Sequence, residues 1–410
     1  MQNGRAGRLH PAVGTARRHL AAALEKLLGA GSIKATGRSR TASTASTAST
    51  PDAADLPLLL VACSGGPDSL ALAAIAAHFA RRGDVRVGAI IVDHDLQEDS
   101  AAVAAQTAQT LTDLGLHPVI TEKVQVPASN MGPEMAARTA RYSAFTKAVE
   151  ATGARAVLLG HTLDDQAETV LLGLSRGSGT RSLAGMPPVR VEEGVTYLRP
   201  FLGLRRTDML DICDAETLTP WIDPTNTDQT LMRARIRHSV LPYLEEHLGG
   251  DVARSLARTA SVVGPDAEYL DEQAQAAYKQ ALLPARTAVR GIEREDAVLL
   301  DRAQVAALHP ALRLRVLATA CKAAGGENPG FERLQALDSF TAEYAVAGPV
   351  QMPGHVSAYR RRKIVHPATG ERLDVLVLVP TRPYLGAQLG ARGAPSAHTI
   401  CVVRCAAAPF

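Results

Sequence analysis

The sequence contains no Cys-x-x-Cys pair. Its five cysteines, Cys63, Cys213, Cys321, Cys401 and Cys405, are an odd number and lie scattered along the chain. That excludes a zinc ribbon, a dithiol redox centre and a disulfide-framed secreted domain, and points to reduced thiols in a cytoplasmic protein. No uninterrupted apolar stretch reaches 18 residues, so a membrane span is not expected. Nor is there a GxxxxGK[ST] string, which removes the Walker A class of nucleotide-binding loops. Strong overall charge is also missing: the net charge is only +3. It is unevenly spread, because residues 1–50 hold eight Lys/Arg against one acid, leaving the other 360 residues, with 36 cations and 40 acids, at −4. Any surface for a polyanion on the folded body must therefore be local.

What is present suffices for more than one core: 410 residues, 46% of them hydrophobic, predict two or three domains. Residues 1–55 read as a disordered, basic, low-complexity extension ending in TASTASTAST, with one amphipathic helix near Ala16 to Leu28; a transit peptide has the same composition. From Leu56 onward LPLLLVACS, VRVGAIIVDH, HPVITEKV and ARAVLLGH read as buried strands, separated by helical patterns over 68–82, 98–114 and 133–151. Alternating strand and helix predicts an α/β fold, a Rossmann-like parallel sheet covered on both faces, with ligands at the carboxyl edge of the strands. Residues 56–248 form this catalytic domain, 249–370 a mostly helical second domain, and 371–410 an unassigned tail.

The polar strand ends CSGGPDS, VDHDL and GHTLDDQ all fall at that edge. In the first, Ser64 to Ser69 make a strand-to-helix turn in which Gly65 and Gly66 let backbone N–H groups approach an anion and Pro67 opens the helix. An ordinary glycine turn with Ser64 as cap fits the loop alone equally well. In the third, Thr162 can cap a helix that carries Asp164, Asp165 and Glu168 on one face, whereas acids in a first turn also simply complement the helix dipole.

SGGPDS after a buried first strand resembles the SGGxDS signature of the PP-loop ATP pyrophosphatases. GHTLDDQAETVLLGLSRGSG, Gly160 to Gly179, resembles a segment of one of its families, the tRNA(Ile)-lysidine synthases. So do VDHDLQEDS (with Gln97 where arginine is usual), PEMAARTARYSAF, YLRPFLGLRR and WIDPTNTDQTLMRARIRHSVLPYLEE, although Ala234 stands where the family has asparagine and Thr225 where it has serine. The resemblance implies that ATP is held by Ser64, Gly65, Gly66, Pro67, Asp68 and Ser69 with Asp93, His94, Gly160 and His161, and that Asp68 binds Mg2+. It implies catalytic roles for Asp68, Asp165, Glu168 and Arg233, and substrate contacts from Glu134, Arg138, Asp164, Arg199 and Arg237. Arg233 and Arg237, four apart, can share a helix face; Arg141 is as well explained by an exposed ion-pair ladder.

The implied reaction is ATP-dependent ligation of free L-lysine to C2 of the wobble cytidine of tRNA(Ile) with a CAU anticodon, through an adenylated cytidine. A cytidine thiolase on the same fold normally needs CxxC pairs that are missing here. A non-catalytic nucleotide- or RNA-binding protein would be expected to lose the intact loop or the acidic helix. The basic run Arg360 to Lys363, at the end of an expected strand pair, is the strongest candidate for holding tRNA; a solvated basic turn is the alternative.

Overall fold

The computed structural model describes residues 9–33, 55–94, 99–124, 133–177, 179–223, 226, 228–284, 296–342, 348–365 and 369–381. The chain divides into two compact units, the second beginning at Tyr269. That is later than the expected 248/249: the expected boundary lies just before helix α10 (Val252–Ala281), whereas the division between the units falls inside it.

The first unit is built on a six-stranded sheet in the order β3-β2-β1-β4-β6-β5. Strands β1 (Leu58–Ala62), β2 (Arg86–Asp93), β3 (Val119–Lys123) and β4 (Ala156–Leu159) are the four strands expected from sequence, and all pair in parallel. Leu59, Leu60 and Val61 are wholly buried, as a strand covered on both faces requires. Helix α2 (Pro67–Arg81) is buried on several sides; Ala71, Ala73, Ala76 and Ala77 lie in the same core as Leu59 and Val61, and their small side chains allow close packing. Helices α3 (Ser100–Asp113) and α4 (Pro133–Thr152) complete the alternation. Ala62 of β1 is level with Ile90 of β2 and Leu159 of β4, so the loops that follow these strands open at one edge.

Helices α5 (Leu163–Ser175) and α6 (Thr180–Leu183) lead into a hairpin that sequence reading passed over. Its strands β5 (Val189–Glu192) and β6 (Val195–Leu198) turn at Glu193-Gly194, both in the left-handed region. β6 is parallel to β4, so the residues after Leu198 also emerge at the ligand edge. There α7 (Arg206–Ala215) begins. Helix α8 (Met232–Arg235), a π-helical turn at Ile236–Val240 and α9 (Leu241–Leu248) follow.

Residues 9–33 correct the expectation of a disordered extension. Helix α1 spans Pro11–Leu28, longer than the stretch expected, and buries Val13, Ala16, Leu20 and Leu24 in the same core as α2 and α7. Burial of a Val or Leu side chain stabilises by about 1.5–3 kcal/mol, so three of them offset part of the ordering cost. The repeat 41–50 lies outside the described residues.

In the second unit α11 (Arg302–Ala307), α12 (Pro310–Ala323) and α13 (Phe331–Asp338) accompany a four-stranded antiparallel sheet in the order β7-β10-β9-β8. Its strands are β7 (Val298–Asp301), β8 (Val350–Met352), β9 (Val356–Val365) and β10 (Arg372–Pro380). The region is mostly helical as expected, but the sheet exceeds a strand pair. β10 also takes up the start of the supposed tail and is one of its two central strands. Residues 382–410, with Cys401 and Cys405, lie outside the described residues.

Arg360 to Lys363 belong to β9 and are not a solvated turn. Arg360 is a structural residue: it donates to Asp374 at 2.8 Å and to the Ala342 carbonyl at 2.6 Å. Arg361 lies over the Tyr359 ring. Arg360→Met should therefore destabilise the unit by roughly 1–3 kcal/mol in denaturant unfolding. Neutralising Arg361 and Lys363 together should leave stability within about 1 kcal/mol.

Candidate active site

The first strand end forms a cradle. Gly65 has φ +81°, and a Cβ there would meet the Thr107 hydroxyl at 2.5 Å, so only glycine fits. Gly66 caps α2 without offering a side chain, which leaves the amino end of the helix open to an anion. Ser69 points into the loop: its hydroxyl donates to the Gly66 carbonyl at 3.0 Å and accepts from the Ser64 N–H at 3.2 Å. It braces the cradle from within. The Trp221 N–H donates to the Gly65 carbonyl, tying the 221–223 segment to the same loop. Gly160 closes the next strand, where a Cβ would stand 2.9 Å from the Asp68 carbonyl oxygen.

Thr162 is the cap of α5, and its reciprocal bonds with Asp165 form a capping box. Asp165 Oδ2 accepts from the Thr162 N–H at 2.8 Å, and its Oδ1 accepts from Arg206 at 2.7 Å. Burial works against this carboxylate, but Arg206 and the Thr162 N–H prevail and hold it below its ordinary range. Glu168, one turn further, is wholly buried. It accepts two bonds from Arg237, at 2.7 and 3.2 Å, and lies 3.7 Å from Arg233. Burial pushes its carboxyl up, against the pull of Arg237. The two arginines four residues apart thus do share one face, and Arg237 sits in the π turn, a distortion often found at functional sites.

Asp68 faces this cluster from the start of α2. Its carboxyl is pushed up to about 6, by burial first and by Asp165, with Arg206 opposing. Oδ2 is 3.4 Å from Arg206, while Oδ1 is buried without a hydrogen-bond partner. Such an oxygen fits Mg2+, which takes one or two carboxylates and completes its octahedron with phosphate oxygens and water. Among the described residues no group of three or more His, Cys, Asp or Glu could hold a metal ion by itself.

The raised Asp68 carboxyl couples stability to pH. Between about 4 and 6 the folded protein binds more protons at this group than the unfolded chain, so its contribution to stability falls as pH rises through that window. Unfolding free energies of the metal-free wild type and Asp68→Asn should converge near pH 4 and separate by pH 7, with the variant the more stable. Parallel curves would place the titration elsewhere.

Arg206 is the residue sequence reading missed. It touches Asp165, Asp68 and, at 3.8 Å, Glu168. The quoted YLRPFLGLRR held it, but nothing in spacing showed that α7 would begin at the sheet edge. Asp164 serves that helix: it accepts from the Arg206 N–H at 2.7 Å and pairs with Arg205 at 3.1 Å. Its geometry is thus that of a backbone anchor.

A second group of expected residues gathers beside the first. Arg141 donates to His94 Nε2 at 3.4 Å, and Arg138 lies over the Tyr142 ring. Arg199 is 3% exposed and donates to the Pro187 carbonyl at 2.9 Å. His161 is lowered to about 4, by burial first and by Arg199, Arg138 and Arg233, so its imidazole is neutral at pH 7. His94 is lowered by burial and by Arg141. The Nδ1 atoms of His94 and His161 and Nε of Arg199 are buried without hydrogen-bond partners. Asp93 is buried at the end of β2. Glu134 lies on α4, but its side chain is outside the described residues.

A phosphate cradle at the carboxyl edge of a parallel sheet, with an acid in the first turn of its helix, defines an ATP-binding protein of the PP-loop class; the PP-loop domain family matches residues 40–244. Among curated proteins the chain is 46% identical to the tRNA(Ile)-lysidine synthase of Leifsonia xyli over 76% of this chain and 90% of that protein. The corresponding synthases of Streptomyces coelicolor (45% identity, 74% and 83% coverage) and Bifidobacterium longum subsp. infantis (40% identity, 76% and 87% coverage) are similar to it as well. The chain belongs to the tRNA(Ile)-lysidine synthase family.

Proposed function

We propose that this protein joins L-lysine to C2 of the wobble cytidine in tRNA(Ile) bearing a CAU anticodon, with ATP cleaved to AMP and pyrophosphate. In the first step the cytidine O2 attacks the α phosphorus and pyrophosphate leaves. In the second the lysine Nε attacks C2, AMP leaves with the oxygen, and the amine loses a proton. The observation that carries this reading is one acidic helix face, Asp165 and Glu168, set against an intact phosphate cradle in a chain from this family.

The cradle of Ser64 to Ser69 holds the β and γ phosphates, with Gly65 and Gly66 presenting backbone N–H groups. Mg2+ on Asp68, when bound, neutralises charge developing on the leaving pyrophosphate. Arg233 and Arg237 stabilise the α phosphate in this reading, since guanidinium forks match phosphate oxygens. His161 and Arg199 offer their unpartnered buried nitrogens to the reacting nucleotide. Of the two acids, Asp165 orients the lysine ammonium, because its low proton affinity makes it a poor base. Glu168, whose affinity is raised, accepts the proton.

A direct test follows the phosphates. With a CAU-anticodon tRNA(Ile) transcript, labelled ATP should give AMP and pyrophosphate in equal amounts; ADP and inorganic phosphate as the products would overturn the reading.

A further inference from the structure

Before any ligand arrives, the acidic side of the site is already neutral: Asp68, Asp165 and Glu168 face Arg206, Arg233 and Arg237. The proposed reaction brings cations, a divalent metal and an ammonium, to those same carboxylates. They need room and uncompensated charge there, and one resident guanidinium must give way.

The guanidinium beside Asp68, where a metal would enter, is that of Arg206, at 3.4 Å. Arg237 grips Glu168 through two bonds, at 2.7 and 3.2 Å. Arg206 is instead spread over three acids, with one close contact, to Asp165 at 2.7 Å, and two long ones, to Asp68 at 3.4 Å and Glu168 at 3.8 Å. Its backbone is clamped independently of its side chain: Asp164 accepts from its N–H, and the neighbouring Arg205 pairs with both Asp164 and Asp251. The guanidinium can therefore swing without moving the start of α7. The nucleotide supplies both halves of an exchange, phosphate oxygens to receive Arg206 and a metal to replace it at Asp68.

We propose that Arg206 is a resident counter-cation of the site, held where the incoming cations must bind, so that metal and then lysine enter only by exchange with it. Arg206 is thereby a positioning residue that couples nucleotide arrival to exposure of the acidic face. The inference rests on the reading of Asp68 as the metal-binding acid.

The test uses Mn2+ alone, counted by its free-ion electron paramagnetic resonance signal, on the full-length nucleotide-free protein. Arg206→Met should raise Mn2+ affinity about tenfold or more over wild type, because a charge beside Asp68 is removed. The gain should vanish in Arg206→Met combined with Asp68→Asn. Arg206→Gln, which retains hydrogen bonding to Asp165 without the charge, gives the same gain if the methionine variant does not fold. A residue with a merely structural role would not tighten metal binding when lost. Unchanged affinity in the charge-neutral variant, or a gain that survives removal of Asp68, would overturn the proposal. Neither outcome bears on whether wild type joins lysine to tRNA, which is read separately.

Discussion

Asp68→Ala is expected to lower the rate of AMP formation by at least about 10^2- to 10^3-fold, the scale on which loss of one preorganised electrostatic contact acts. The loss should fall on turnover more than on folding. Burial already penalises this carboxylate, and Oδ1 has no hydrogen bond to forfeit. An alanine therefore removes a strained group, and unfolding should occur at the same or a higher denaturant concentration. Arg206 would keep its 2.7 Å contact to Asp165. Retained AMP formation with unchanged magnesium dependence would take Asp68 out of the site.

Glu168→Gln should separate the two substrates. Glutamine keeps shape and still accepts a bond from Arg237, but the charge that faces Arg237, Arg233 and Arg206 is gone. Three guanidinia would then share two carboxylates, and an ammonium would meet net positive charge. The kcat/KM for lysine is expected to fall about tenfold or more, because proton acceptor and charge are lost together, while the KM for ATP changes severalfold at most, a split that identifies which step the group serves. Some stability will also be lost, because Glu168 is buried and pins the π turn through Arg237. A collapse of ATP affinity with lysine dependence unchanged would reverse the assignment.

The contrast between Glu168 and Arg206 shows why some of this site was legible in sequence and some was not. SGGPDS and GHTLDDQAET are contiguous strings whose chemistry depends on local geometry, a turn and a helix face, so Gly65, Asp68, Asp165 and Glu168 could be placed from spacing and family resemblance. Arg206 reaches the same acids only because β6 lies beside β4, and four-residue strands such as β5 and β6 carry too little periodicity to be read. Helix α1 was legible in part: its spacing predicted an amphipathic helix near Ala16 to Leu28, but the arginine-rich, repeat-flanked composition concealed that Val13, Ala16, Leu20 and Leu24 belong to the core. Arg360 misled in the opposite sense. Four consecutive cations suggest a surface, yet alternation along β9 brings the first of them onto Asp374. Loop and strand order were set locally; pairing across the sheet was not.

The most direct measurement is incorporation of labelled lysine into unmodified tRNA(Ile) with a CAU anticodon, set against the methionine tRNA that shares this anticodon. With ATP present, label is expected to enter the isoleucine tRNA in a one-to-one ratio with AMP released, and to stay near background with the methionine tRNA. AMP release without lysine in the RNA, or equal labelling of both tRNAs, would contradict it.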